Sequence, residues 1–367
     1  MDTVSEGKAK IIIGNAFYNP KMKRLRDISV TFLNSMLDPG FKVLDATAAT
    51  GIRGIRYLLE ANAGRAVFLE INSEAYSTLV ENIRLNRGEE RAEAKNTSIQ
   101  EFANTTNERF DAIDLDPFGT PAPYIFDLLK LAKQGTILMI TATDTATLCG
   151  AEGNACLRIY GAKPISGGLC HEGSVRILLG FLAKLASQFN FGIRPLLSLA
   201  ELHYIRLFVE LSKGAREAVK SMKETGFVSL CRRCHSYYLA KHFCGEKIEY
   251  SCRFCGSSTE QFGPMWLGPI NDRNLALEME KEADEKTKPT FAAIAAEVES
   301  PFFYNLDEIS SYLNLGSVSV ERVLLKLKEK RINASRTVFC GNCIKTNAGI
   351  SAIIDSIKEV AKSASGS

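Results

Sequence analysis

The chain of 367 residues is most informative first for what it lacks. It has no apolar run long enough to cross a bilayer. Its opening residues, Met1 to Lys10, are polar and carry no signal-peptide core. Neither an internal repeat nor a long low-complexity tract is present. No charge of one sign dominates: 45 Lys and Arg against 42 Asp and Glu leave a formal net charge of +3. That excludes a histone-like polycation and leaves room for a local basic patch. Without an export signal, the 10 cysteines read as thiols or metal ligands rather than a disulfide framework. We therefore expect a reducing, cytoplasmic compartment, no membrane and no obligatory protein partner. What is present is ordinary for a globular protein: 46% hydrophobic and 24% charged residues, enough chain for two or three domains.

From Phe41 to Glu210 short apolar runs alternate with helical patterns. Strands are expected at Phe41–Leu44, Ala66–Ile71, Phe110–Leu115 and Thr136–Thr141, with helices at Ile52–Ala61 and Ser73–Asn86. This alternation implies a parallel sheet covered on both faces. After Gly214 basic residues outnumber acidic ones and cysteine pairs appear. A charged helical segment, Asn274–Lys288, leads to two predicted helices, Leu306–Leu313 and Val318–Lys330, with Gly316 expected to supply the turn. This helix-turn-helix pattern fits a winged nucleic-acid-binding unit or a small helical packing module equally well.

Val43 to Arg53 reads as a strand ending in Asp45, then small residues leading to Gly51 at a helix start. Small residues let a backbone approach a ligand closely. The next strand ends at Glu70, where one carboxylate offers two acceptors to a ribose diol. A dinucleotide site calls for Gly-x-Gly-x-x-Gly to seat its phosphates, whereas this loop is Thr47-Ala48-Ala49-Thr50-Gly51. A nucleoside cofactor without phosphates fits it better, and a plain strand-turn-helix remains the alternative.

Asp114-Leu115-Asp116-Pro117-Phe118-Gly119 ends the predicted strand Phe110–Leu115, where ligands bind in open α/β sheets. It is similar to the Asp-Pro-Pro-Tyr-type motif of amino-methyltransferases. An exocyclic amine is a poor nucleophile because its lone pair is delocalised. Asp116, helped by a main-chain carbonyl, can accept the amine hydrogens and localise that pair. Pro117 shapes the turn, and Phe118 can stack on a base held out of its helix. A simple Pro-Gly turn is the competing reading.

Cys231-x-x-Cys234 and Cys252-x-x-Cys255 are two knuckles whose spacing fits a closed tetrahedral zinc site of structural type. Cys340 and Cys343 form a further pair that reads as two buried thiols or as part of a second metal site.

Ordered segments then identify the chain as similar to the tRNA guanine-26 N2-dimethyltransferases over most of its length. They are Phe17-Tyr18-Asn19-Pro20 with Arg26-Asp27, Ala49 to Arg56, Asp114 to Pro121, Thr141 to Asp144, Leu148-Cys149-Gly150 and His171-Glu172. His203-Tyr204 with Arg206, Trp266 to Pro269, Arg336-Thr337 and Ile344-Lys345-Thr346 complete the set. The resemblance implies S-adenosylmethionine as methyl donor, with Arg26, Arg53 and Glu70 contacting it and Asp116 as catalytic carboxylate. Ser98 and Ile99 fall where contacts to the adenine are expected. It also implies one or two methylations of the N2 of guanine 26 in tRNA. Three positions depart from the family pattern: Leu25 stands where Asn is usual, Ser98 where a carboxylate is expected, and Val338 where His is frequent.

The expected architecture is α/β: a Rossmann-like class I methyltransferase sheet in residues 1–215, then a smaller α+β C-terminal domain, 216–367, that binds tRNA. The latter would carry a zinc ribbon at 228–262 and a winged-helix-like unit at 300–350. Lys326, Lys328, Lys330, Arg331 and Arg336 offer a basic face there, or simply a solvated one.

Overall fold

The computed structural model describes residues 3–201 and 203–365. An N-terminal hairpin, β1 (Thr3–Glu6) and β2 (Ala9–Ile12), precedes helix α1 (Lys23–Met36). Strands and helices then alternate: β3 (Lys42–Asp45), α2 (Ile52–Glu60), β4 (Arg65–Leu69), α3 (Ser73–Leu85), β5 (Ala92–Lys95), α4 (Ile99–Thr105) and β6 (Phe110–Leu115). There follow α5 (Ala122–Lys130), β7 (Ala132–Ala142), the short helices α6 (Thr145–Leu148) and α7 (Gly153–Tyr160), and the long α8 (Cys170–Gln188). The hairpin β8 (Phe191–Glu201) and β9 (Tyr204–Lys213) completes a seven-stranded sheet in the order β5-β4-β3-β6-β7-β9-β8.

The expected parallel sheet is thus a mixed one. β5 to β7 in that order are parallel, and β9 and β8 are antiparallel. The reason lies in the connection: two residues join β8 to β9, whereas a parallel crossover needs a dozen or so. The chain runs outward from β3 in one direction and returns at β6 in the other. A crevice therefore opens beyond the carboxyl ends of β3 and β6, the switch point of the sheet.

Helix α9 (Ala215–Lys223) leads to a three-stranded antiparallel sheet of β10 (Thr225–Leu230), β11 (Tyr237–Lys241) and β12 (Glu260–Trp266), in the order β11-β10-β12. The expected single helical segment Asn274–Lys288 is two helices, α10 (Arg273–Glu282) and α11 (Lys288–Ala296). Between them Asp284 accepts the N–H groups of Lys286 and Thr287 at 3.0 and 2.8 Å, and Pro289 starts the second helix. Next come β13 (Tyr304–Asn305), α12 (Leu306–Tyr312), α13 (Val320–Glu329), β14 (Ala334–Thr337), β15 (Cys340–Thr346) and α14 (Ile350–Ser365). The turn after α12 is made by Asn314, at φ 54°, and not by Gly316. Asparagine is the usual substitute for glycine in the left-handed region.

One hydrophobic core runs through both parts of the chain. Leu178 and Leu182 of α8 share it with Ile113, Ile140 and Leu207 of the large sheet and with Phe262, Met265, Trp266, Phe302 and Phe303 beyond it. No helix among the described residues is long and apolar enough to cross a membrane.

Cys340 and Cys343 are joined as a disulfide, which replaces the expectation of two thiols. The second-metal alternative finds no partners either: the candidate ligand groups among the described residues are the four knuckle cysteines and the trio Cys149, Cys170 and His171.

Candidate active site

At the switch point a cavity of about 570 Å³ opens. Its floor is a buried charge cluster. Asp45 and Asp114 are register partners on β3 and β6, so their carboxylates start out side by side. Arg206 donates to both oxygens of Asp114, at 2.7 and 2.9 Å, and Tyr57 donates its hydroxyl to Oδ2. Burial alone would raise the Asp114 carboxyl, but Arg206 and Arg53 outweigh it and hold it below the ordinary range. Asp45 has no such arginine pair. Burial, and then the charge of Asp114, push its carboxyl up to about 7.

Arg53 links this floor to the cavity. Its Nε and Nη2 donate to Asp116 Oδ2 at 2.8 and 2.6 Å, and its Nη1 lies 3.7 Å from Asp114. Among the described residues nothing donates to the second oxygen of Asp116, whose side chain is 24% exposed. The Asp116 N–H donates to Thr47 Oγ1 at 3.0 Å, fixing the loop. Pro117 lines the cavity. Phe118 is 75% exposed, and its ring stands edge-on to Phe17 at 4.5 Å between centroids. Opposite, Glu70 directly follows β4 and accepts the N–H groups of Ala49 and Asn72, each at 2.8 Å. Ser98 and Ile99 complete that wall at the start of α4, where the Ser98 hydroxyl accepts the Glu101 N–H at 3.1 Å. Two cavity-lining groups, Thr50 Oγ1 and Arg53 Nη1, are buried and make no hydrogen bond.

Eight of the ten residues singled out from the sequence as catalytic or cofactor-binding thus meet around one opening: Arg26, Arg53, Glu70, Ser98, Ile99, Asp116, Pro117 and Phe118. Asp45 and Gly51 stand behind the wall. Asp45 is 1% exposed and accepts the Gly54 N–H at 3.0 Å, tying β3 to the first turn of α2. Gly51 holds the entry to that helix at φ 79°, and a Cβ there would sit 2.4 Å from Leu79 Cδ1. Arg26 borders the cavity with its guanidinium paired to Glu6: Nε donates to Oε1 at 2.7 Å and Nη2 pairs with Oε2, and Nη2 also donates to the Asn19 carbonyl at 3.1 Å. Arg56 reaches the same Glu6 at 2.8 Å. The pairing of Arg26 with Glu6 anchors the N-terminal hairpin and holds Arg26 at the edge of the cavity. Burial would raise Glu6, yet Arg26 and Arg56 bring it down to about 2.

Composition and strand pattern had not pointed to Phe17, Tyr18, Tyr124, His203 or Tyr204, which also line the cavity. Four of these lie in the segments that carry the family resemblance, which was the available signal. Two departures from that pattern have local roles, and Val338 in place of His has no structural explanation. Leu25 is fully buried in the core, and Ser98 caps α4. The N–H of Val338 donates to Glu297 at 3.1 Å.

Family segments remote from the cavity meet elsewhere. Glu172 Oε1 accepts from Arg176 Nε and Nη2 at 2.8 and 2.6 Å and from the Phe302 N–H at 2.7 Å. Its Oε2 lies 3.1 Å from Lys345 Nζ, an ion pair without hydrogen-bond alignment. Lys345 also reaches Glu297 at 3.2 Å, and Arg176 Nη1 donates to the carbonyls of Trp266 and Gly268 at 3.1 and 3.0 Å.

The sulfurs of Cys231, Cys234, Cys252 and Cys255 all lie within 4.8 Å of one another. The 231–255 and 234–252 separations are both 3.5 Å. The two knuckles repeat one geometry. The N–H of His235 returns to the Cys231 carbonyl and that of Gly256 to the Cys252 carbonyl, both at 2.9 Å, with φ 61° and 73°. The proposed basic face of α13 is interlaced with acids: Lys326 pairs with Glu329, Lys330 with Glu359 and Arg336 with Glu321.

Comparison with known proteins agrees with this geometry. The family model described as N2,N2-dimethylguanosine tRNA methyltransferase matches residues 3–358. A Pyrococcus horikoshii protein named tRNA (guanine(26)-N(2))-dimethyltransferase is 36% identical, covering 97% of this chain and 98% of its own. An Archaeoglobus fulgidus protein of the same name is 32% identical, over 94% and 95% of the two chains. The solved structure of Trm1 from Pyrococcus horikoshii with S-adenosyl-L-methionine superimposes with a TM-score of 0.88 at 35% identity, covering 97% of this chain and 99% of that one. The chain belongs to the N2,N2-dimethylguanosine tRNA methyltransferase family.

Proposed function

We propose that this protein transfers methyl groups from S-adenosylmethionine to the exocyclic N2 of guanine 26 in tRNA, giving N2-methylguanine and then N2,N2-dimethylguanine. The observation that carries the reading is Asp116: a carboxylate clamped on one oxygen by Arg53, open on the other, beside an exposed phenylalanine at the mouth of a nucleoside-sized cavity.

The cavity fits the methyl donor. Glu70 offers two carboxylate oxygens at a strand end for a ribose diol, Ile71 and Ile99 offer apolar surface for a purine, and no phosphate-binding loop is present. The buried unpartnered Thr50 hydroxyl leaves a polar group for the ligand to satisfy. When bound, S-adenosylmethionine supplies an electrophilic methyl on a sulfonium. Everything else falls to the chain. Phe118 stacks on the guanine withdrawn from the tRNA core, and Asp116 with the Pro117 carbonyl accepts the amine hydrogens. Arg53 keeps the carboxylate from rotating, so the nitrogen lone pair points one way.

The four knuckle sulfurs suit a structural zinc. A tetrahedron of bonds near 2.3 Å has edges of about 3.8 Å, close to the 3.5 Å separations seen. We read residues 1–215 as the transferase unit and 216–367 as the tRNA-holding unit, with a zinc ribbon at 228–262 and a winged-helix-like unit at 300–350. We place the protein in the cytoplasm, where tRNA is met. The test is transfer of labelled methyl to unmodified tRNA transcripts, followed by nucleoside mass spectrometry. Dimethylguanine that disappears when guanine 26 is replaced is the expected result. Label on another base, or on none, overturns it.

A further inference from the structure

We propose that the tip of the second cysteine knuckle is a stacking surface for unpaired nucleotides of the tRNA, with Tyr250 and Phe254 supplying the rings and Arg253 a planar cation. The proposal rests on the tRNA reading above and adds where, and by what contact, the RNA is held outside the cavity.

Exposure is the first observation. The three most exposed large hydrophobic side chains among the described residues are Phe118 at 75%, Ile71 at 72% and Tyr250 at 69%. The first two line the active cavity. Tyr250 does not, and Phe254, at 40% exposed, stands four residues along the same loop. Knuckle geometry is the second. Cys252 and Cys255 turn their sulfurs inward, so the two residues between them must point out. The first knuckle places Arg232 and Arg233 there; the second places Arg253 and Phe254. The loop is held in place: the Thr259 N–H donates to the Tyr250 carbonyl at 3.1 Å, and Ser251 bridges Ser258. These rings are therefore presented on a fixed turn.

Charge selects the partner. Residues 231–256 hold five Lys and Arg against two Glu, a net +3 that equals the formal charge of the whole chain. Arg233 and Lys247 are exposed there. Arg253 pairs with Glu249, and its guanidinium lies 5.4 Å from the Tyr238 ring centroid with its side chain 68% exposed. One planar cation already stacked on one ring, beside two exposed rings in a positive field, is the arrangement that single-stranded nucleic acid uses: bases stack on rings while phosphates meet the cations. A duplex hides its base faces and would leave Tyr250 and Phe254 without contacts.

The test uses the full zinc-loaded chain and direct binding of an unmodified tRNA transcript at fixed salt. Tyr250→Ala and Phe254→Ala should each weaken tRNA binding about tenfold, while Phe254→Trp stays near wild type because any flat ring stacks. Zinc content and S-adenosylmethionine affinity should be unchanged, and an unpaired oligouridine should compete with tRNA better than a blunt RNA duplex. Wild-type affinity in both alanine variants overturns the proposal. So does a loss of affinity that comes with loss of zinc, or equal competition by the duplex. If the wild type methylates no tRNA, the functional reading fails separately, and ring-dependent binding of oligouridine still decides this one.

Discussion

Asp114 and Glu172 are both fully buried carboxylates, each held by an arginine and by groups drawn from distant parts of the chain. Asp114 belongs to a cluster that reaches outward: through Arg53 it is joined to Asp116, one oxygen of which stays open to the cavity. The cluster around Glu172 lies apart from that cavity. Arg176, Lys345, Glu297 and three backbone groups surround Glu172, and no member reaches the active cavity. The same chemistry thus does different work. A buried charge whose chain of partners ends in an open, half-exposed group is available to a substrate. One whose partners come from α8, the C-terminal cap of α11 and β15, and stay away from the active cavity, sets the relation of α8 to the C-terminal segments.

Mutations should separate the two. Asp116→Asn, which removes the charge while keeping the shape, should lower kcat/KM on the order of 10² to 10⁴-fold. Urea unfolding should barely move, because Arg53 retains Asp114. A large stability loss with activity per folded molecule intact would merge the two clusters. Glu172→Ala leaves Arg176 and Lys345 buried with less compensation, so about 3–5 kcal/mol of stability should go. Equilibrium denaturation measures this, and affinity for S-adenosylmethionine in the folded fraction should remain.

A third cluster sharpens the comparison. Glu6 titrates at about 2 in the folded protein, below its ordinary value of 4.5. A depressed acid stabilises the fold above its unfolded pKa, and that stability is lost as pH falls from about 4.5 through 2. The shift corresponds to about 3 kcal/mol. Denaturation of wild type and Glu6→Gln across this range should converge at the acid end; parallel curves would remove Glu6 from the account. The smallest effect is expected at Ser98. Ser98→Ala deletes an N-cap worth about 1 kcal/mol, so the melting temperature should fall slightly. If binding of S-adenosylmethionine weakens more than tenfold in this variant, Ser98 is a ligand contact rather than a cap.

Legibility in the sequence followed the range of the interactions. Local features were readable. The strand Phe110–Leu115 has its expected bounds, and α2 and α3 lie within a residue of theirs at the C-terminal end. Asp116, Phe118 and Glu70 were readable because a strand end followed by a turn puts side chains at one edge of a sheet. The Cys-x-x-Cys knuckles were readable for a similar reason, since each is a turn in itself. The pairing of Arg26 with Glu6 was not readable, because Glu6 lies on the N-terminal hairpin, which the alternating pattern did not announce. The burial of Asp45 was not readable either, because only the pairing of β3 with β6 sets it beside Asp114 and behind the cavity wall. The antiparallel end of the sheet turned on the brevity of one connection.

By itself, then, the sequence determined the alternating strands and helices, the acids at the strand ends, the zinc-spaced cysteines and, through ordered motifs, the family. Those are properties of neighbouring residues, set by backbone periodicity and turn chemistry. Only the tertiary structure decided which charges face the cavity and which are consumed inside. Those outcomes depend on contacts such as Arg53 with Asp116, 63 residues apart, and Phe302 with Glu172, 130 residues apart. Local propensity is silent about such pairs, because a buried charge takes whichever partner the packing of distant elements brings within hydrogen-bond reach.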